Sequence, residues 1–461
     1  MRRLLRGHTP TGLLVALFII GLIIGAAAAY FAAKPGATKT VTVTKTVTAG
    51  GGGGGAATVT VTKTVTAAAG GGGGKGAGGL RGEIPIGILL PQTGSLAADG
   101  KDMVAAAKKA IDDFNSFLAE IGAPFRFKAV VADTGTNPEK ALAGLQTLYS
   151  QYGVQVVVGT ASSWVLSGVM NYANKHHIVM ISPSSTSPAL AIPDYIFRVV
   201  GNDAGQGKAL ATLVHDSGFN GAVVIFRDEA YGRGIAEYFK KYFEQMGGEA
   251  VLLPYNPQKS DFAPEVQKLA SEVQKLMNKG KKVAVVIVAF ETDGINILGH
   301  AADTPILRKV RWFSSESIRS PALIKAPEKI RKFLVEVHFE GTFPIPPKNP
   351  KGEAFLKWFV SKYGHQPSPF AAYAYDAAYL ACLSVTVARK YDGTVIKTVL
   401  PVIADNFFGV TGWKALDKNG DLKYQDYSIW KYVCKNGKCM FVDFALYKST
   451  TGKIIPLSTS S

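Results

Sequence analysis

Five short segments concentrate hydroxyl and small polar side chains: Pro91-Gln-Thr-Gly, Gly159-Thr-Ala-Ser-Ser-Trp, Ser182-Pro-Ser-Ser-Thr, Arg227-Asp-Glu-Ala-Tyr-Gly and Phe290-Glu-Thr-Asp-Gly. Groups of this kind hold a ligand by hydrogen bonds and do not by themselves make a nucleophile and its base. No Gly-x-Ser-x-Gly elbow and no Cys/His pairing occurs, so an enzyme is not expected. His176 and His177 are adjacent, point in different directions and have no cluster around them, which gives no metal site. Gly205-Gln-Gly-Lys opens like a dinucleotide fingerprint but lacks the third glycine and follows no strand. Asp417-Lys-Asn-Gly-Asp is too short for a calcium loop, and a hairpin turn explains it. No cofactor is expected.

The polar segments sit where strands end. Apolar runs at Ile84 to Pro91, Phe125 to Ala132, Gln155 to Gly159 and Ile178 to Pro183 alternate with helical spacing over Lys101 to Leu118, Pro138 to Tyr152 and Ser163 to His176. The pattern restarts at Gly221 to Phe226, Glu249 to Pro254 and Val283 to Val288, with helices between. Alternation at this length implies parallel βαβ units, here two successive open α/β sheets. In such sheets ligands bind outside the carboxyl ends of the strands, which is where the polar segments lie. Further on, Leu334 to Phe339 reads as a strand, Phe370 to Lys390 as a long helix, and Phe408 onward as antiparallel.

At 461 residues the chain exceeds one ordinary domain. Its formal charge of +17 is spread along the chain beside acidic residues, so a solvated basic surface is expected and a nucleic-acid partner is not. Arg2, Arg3 and Arg6 precede an uncharged stretch from Thr11 to Ala33, long enough to cross a bilayer as a helix. The charge bias puts the N-terminal end (1–10) inside and the rest outside; a cleaved signal peptide is the competing reading. Residues 34–82 hold two Thr/Val units, each with a Gly run, and read as a flexible stalk. Cys434 and Cys439 flank Lys-Asn-Gly-Lys; with Asn436-Gly437 as a two-residue turn they face one another across a hairpin and form a disulfide candidate. Cys382, among Ala and Leu, reads as a buried thiol.

The series Gly87-Ile-Leu-Leu-Pro-Gln-Thr-Gly, Asp133…Asn137-Pro, Val158-Gly-Thr-Ala-Ser-Ser, Ile181-Ser-Pro-Ser-Ser-Thr, Phe197-Arg, Tyr231-Gly, Ser260-Asp-Phe and Tyr375-Asp-Ala resembles the branched-chain amino-acid binding proteins. These are type I periplasmic solute-binding proteins of ABC importers, related in fold to amide and urea receptors. The resemblance runs from about Ile84 to about Tyr432 and implies two lobes joined by three crossings. It places them near Asp203, Ser317 and Thr394, giving lobe 1 as 83–202 and 318–394, lobe 2 as 203–317 and 395–446, and a tail at 447–461.

The resemblance also implies site roles. Ser163 and Thr186 would hold a ligand carboxylate, with backbone groups at Ser184; Ser163 opens a helix, where N–H groups and the dipole favour an anion. Asp293 would receive the ligand ammonium, Tyr231 would close from the second lobe, and Trp164 and Phe290 would line the side-chain pocket. The alternatives are an N-cap at Ser163, a turn at Thr186, a helix cap at Asp293 and core packing for the two aromatics. One departure stands out: several amino-acid binders carry an aromatic just before the first-loop glycine, whereas this chain has Asp99 before Gly100. The implied function is capture of an amino acid by lobe closure for a permease whose ATPase subunits are separate chains, at the outer face of the cell membrane. A monomer is the family default. An amide, urea or short-peptide receptor and a sensory ectodomain with a partner chain are the competing functions.

Overall fold

The computed structural model describes residues 79–435 and 437–457. Five strands, β1 (Gly82–Leu90), β2 (Phe125–Asp133), β3 (Val156–Gly159), β4 (Val179–Ser182) and β5 (Ile196–Arg198), form a parallel sheet in the order β2-β1-β3-β4-β5. The inner strands β3 and β4 are buried on both faces, which is why their sequences, VVVG and VMIS, are apolar without alternation. Helices α1 (Ala97–Glu120), α2 (Pro138–Tyr152) and α3 (Ser163–Lys175) connect them. The start of α2 is set by the Asn137 side chain, which accepts from the Lys140 N–H, and by Pro138 in the first turn; Gly153, at φ 65°, ends it.

The second sheet has eight strands. In chain order β6 (Gly221–Arg227), β7 (Glu249–Tyr255), β8 (Val283–Val288), β9 (Arg311–Ser314) and β10 (Glu340–Ile345) pair in parallel as β10-β9-β8-β6-β7. Around them lie α4 (Asp203–Asp216), α5 (Ala230–Gln245), α6 (Ala263–Asn278), α7 (Glu291–Ala302), the single turn α8 (Pro321–Ile324) and α9 (Glu328–Glu336). The chain then returns to the first lobe as α10 (Pro350–Tyr363), α11 (Ala371–Ala388) and α12 (Gly393–Ala404). A two-stranded ribbon follows, β11 (Phe408–Gly409) with β12 (Gly412–Trp413). The antiparallel strands β13 (Asp426–Lys435), β14 (Lys438–Lys448) and β15 (Lys453–Pro456) finish the second sheet.

This connectivity corrects the expected boundaries. Because β10 pairs with β9 and β13, the chain stays in the second lobe past Ser317 and crosses only after Ile345. The crossing expected near Thr394 falls instead between Leu422 and Asp426: α12 packs on α11 and β4, and Asp421 still bridges to Arg198 at the end of β5. The expected tail at 447–461 contains β15, hydrogen-bonded to β14. The stretch Leu334 to Phe339, read as a strand, is the last three residues of α9 and the turn after it, and α9 buries Ile330, Phe333 and Leu334 at helical spacing. Gly82, expected to close the stalk, belongs to β1. The expected membrane anchor at 11–33 and nearly all of the stalk lie outside the described residues. Among the described residues α11 has the length and apolar content of a membrane span, but most of its side chains are buried in the first lobe.

Cys434 and Cys439 are disulfide-bonded across the β13–β14 hairpin, with Cα atoms 4.0 Å apart. Cys382 is a buried free thiol in α11.

Candidate functional site

Six strand ends converge on one cleft between the sheets. The first lobe contributes the turn after β1 and the first turns of α1, the β3–α3 turn, and the loop after β4; the second contributes the starts of α5 and α7 and the segment after β9. This is the position that parallel α/β sheets reserve for a ligand. The β3–α3 turn passes so close to β1 that a Cβ on Gly159 would stand 2.2 Å from the Leu89 carbonyl oxygen. The lobes meet around the cleft: the Ser187 hydroxyl donates to the Ala230 carbonyl across it at 2.7 Å. About 20 Å³ of free space remains inside, roughly the room one water needs, so a ligand can enter only when the lobes part. A larger cavity of about 350 Å³ lies away from the strand ends, between α1, α10, α11 and β11. All its walls belong to one lobe, so hinge motion cannot close on it.

The anion-binding end is built around Ser163. This residue opens α3 and is buried, and its Oγ accepts from the backbone N–H groups of Thr186 and Ser187, each at 3.0 Å. With both lone pairs occupied, the hydroxyl has only its proton left to offer. Ser163 is therefore a hydrogen-bond donor at a helix N-terminus, next to Ser162, whose buried hydroxyl has no protein partner. Ser184 also lines the cleft, and its hydroxyl donates to Ala161 O at 2.8 Å. Thr186 does not face the cleft: its buried hydroxyl lies beside the Asp203 carboxyl, and its carbonyl accepts from the Asp203 N–H at 2.8 Å.

On the second lobe Tyr231 and Phe290 stack with ring centroids 5.5 Å apart, and both line the cleft. The Tyr231 hydroxyl lies 2.7 Å from Ser315 Oγ and 2.9 Å from Ser317 Oγ. The expected ammonium acceptor, Asp293, is elsewhere. It is buried against Arg227, whose Nη1 donates to it at 2.7 Å, and the Tyr255 hydroxyl donates to the same oxygen. Asp293 thus neutralises an internal guanidinium and neither lines the cleft nor caps α7. The carboxylate that does line the cleft from this lobe is Glu316, just past β9. It accepts from Gln206 Nε2 at 2.5 Å and Ser317 Oγ at 3.1 Å. Burial pushes its carboxyl up, and burial plus the negative charge of Glu316 pushes Asp203 well up. The signal for Glu316 is its place: an acidic residue directly after Ser314-Ser315 at a strand's carboxyl end.

Trp164 is half-buried against the core under α3 and lies outside the cleft. Asp99 is inside it, on the first turn of α1, and loss of water raises its carboxyl to about 6.

The sequence model described as periplasmic binding protein matches residues 83–399. The chain belongs to the periplasmic binding protein family. Among curated members it is 25% identical over 358 residues to the leucine-, isoleucine-, valine-, threonine- and alanine-binding protein of Pseudomonas aeruginosa, covering 75% of this chain and 89% of that one. Its fold is similar to a leucine binding protein of Thermotoga maritima, with a TM-score of 0.66 at 20% identity over 81% of this chain and 99% of the other. It is also similar to a solute binding protein of an ABC transporter from Rhodopseudomonas palustris, solved with 3,4-dihydroxybenzoic acid, with a TM-score of 0.63 at 18% identity over 80% and 98%. The family model and the Pseudomonas relative accord with the resemblance to the branched-chain amino-acid binding proteins, and the fold is shared by a leucine binding protein and by one solved with an aromatic acid.

Proposed function

We propose that this binding protein captures an amino acid outside the cytoplasm and delivers it, lobes closed, to a membrane permease driven by separate ATPase subunits. The observation that carries this reading is the pairing of opposite chemistries in one closed cleft. The donor-only Ser163 and the α3 N-terminus offer a carboxylate site on one lobe, and Glu316 offers an ammonium site on the other. The Thr186 N–H fixes the Ser163 hydroxyl that makes the first site, and Tyr231, Ser184 and Phe290 complete the walls. A zwitterion bridging the two lobes gains affinity only when they close, so closure and capture are one event. The Cys434–Cys439 disulfide fits an oxidising, extracytoplasmic setting, and the apolar segment at 11–33 is proposed to hold the protein at the outer membrane face.

The test is a thermal-shift screen of the folded region against amino acids, amides, urea and aromatic acids. Ligand that binds only the native state raises the melting temperature in proportion to the logarithm of its concentration over Kd. A shift with at least one free amino acid, abolished by Glu316→Gln, is expected. A shift with neutral amides or with aromatic acids alone would replace this reading with one of those ligand classes.

A further inference from the structure

Resting on the amino-acid reading of the cleft, we propose that Asp99 selects an amino acid whose side chain ends in a cation, such as a diamino acid or a guanidino acid, in place of an aliphatic one. The carboxylates of Asp99 and Glu316 face the same cleft from opposite lobes. Among the described residues that line it, none is positively charged. The Arg227 guanidinium lies on the Phe290 ring, 3.8 Å from its centroid, and is consumed by Asp293 and Glu229. A zwitterion's own carboxylate is taken by Ser163 and its ammonium by Glu316, which leaves Asp99 without a counter-charge. The groups around Asp99 do not supply one: Ser368 offers a hydroxyl, while Asp102 and Glu291 add negative charge. Asp102 is itself engaged with the Ser368 N–H at 2.7 Å and with His365 at 3.7 Å.

An aspartate in the first turn of a helix has an ordinary role, complementing the helix dipole from the solvent side. Asp99 differs in that it lines the interlobe cleft, beside Met103, Ser163 and Phe370 and across from Glu316. Closing that cleft over an aliphatic side chain would bury a lone carboxylate, which is costly. A ligand cation converts the same burial into a paired contact. Met103, Phe290 and Phe370 supply an apolar channel for the methylene stem that such a side chain carries.

Isothermal titration of the folded region with ornithine, arginine and leucine tests this, using the wild type, Asp99→Asn, Asp99→Leu and Glu316→Gln, each first checked for an intact melting transition. The wild type is expected to bind ornithine or arginine at least tenfold more tightly than leucine. Asp99→Asn should lose at least tenfold toward the cationic ligands alone, Asp99→Leu should reverse the preference, and Glu316→Gln should bind none of the three. Leucine bound as tightly as the cationic amino acids, or affinities unmoved by Asp99→Asn, would overturn the proposal and leave the amino-acid reading standing. No binding of any amino acid by the wild type would overturn both.

Discussion

Arg198 and Asp421, 223 positions apart, meet as a fully buried ion pair, with Arg198 Nε 2.6 Å from Asp421 Oδ1 and a second bond from Nη2 to Oδ2. The remaining guanidinium nitrogen donates to the carbonyls of Ser187 at 2.6 Å and Ser185 at 3.2 Å. One side chain at the end of β5 thus shapes the ligand loop and pins the segment leading into the third crossing.

Asp421→Ala would strand that guanidinium in the interior. Breaking one half of a buried pair costs about 3–5 kcal/mol. Denaturant unfolding should show that loss, together with weaker ligand binding because the 185–187 loop slackens.

Asp293 and Glu316 should separate cleanly. Asp293→Ala uncovers Arg227 and is expected to lower stability by about 3 kcal/mol while ligand affinity stays within a few fold. Glu316→Gln should keep the melting transition and lose the ligand. Parallel melts and titrations of the two variants check this, and an Asp293→Ala protein that is stable but unable to bind would return the ammonium role to Asp293.

Ser163→Ala removes the acceptor shared by the Thr186 and Ser187 N–H groups. Buried donors left without partners cost about 1–3 kcal/mol. Both stability and affinity should fall, and Ser163→Thr, which restores the hydroxyl, should recover part of each.

Asp99 gives the closed form a pH dependence. Its carboxyl moves from 3.8 to about 6 because burial penalises the charge, and Glu291 and Asp102 act in the same direction. A raised carboxyl adds stability that is complete below about pH 4 and is lost as pH climbs through about 6. Melting temperature should therefore fall from pH 5 to pH 7 more steeply in the wild type than in Asp99→Asn. Equal slopes would show that Asp99 is solvated.

Replacing Cys434 and Cys439 by serine opens a loop of only six residues, for which chain entropy accounts for about 2 kcal/mol. The hairpin tip lies away from the cleft, so chemical denaturation should register the change and ligand titration should not.

Much of this was legible in the sequence because it is local. Period-two and period-3.6 patterns located β1, β3, β4, β6 and β8 and the helices α2 and α3, whose caps Asn137 and Gly153 are visible as residue types. The polar turns after those strands contain Ser163, Ser184, Tyr231 and Phe290, the family resemblance singled out these four and Asp99, and all five line the cleft. What remained hidden depends on partners distant in the chain. Nothing near Asp293 announces Arg227, 66 positions earlier, as its counter-ion. Glu316 and Asp293 both follow strand ends, and only the fold decides which of them faces the cleft. The crossings were misplaced for the same reason: β10 joins the second sheet through pairing with β13, which starts 81 positions after β10 ends.

The grip of Arg198 also limits how such a receptor can diversify. Carbonyls at 185 and 187, the Ser163 hydroxyl and the Asp421 anchor form one rigid unit, so a substitution there disturbs the hinge as well as the ligand. The neighbouring part of the same lobe, where Asp99, Met103 and Phe370 stand, is not tied to Arg198. New ligand preferences can be written on that part alone, with the motion that reports occupancy left intact.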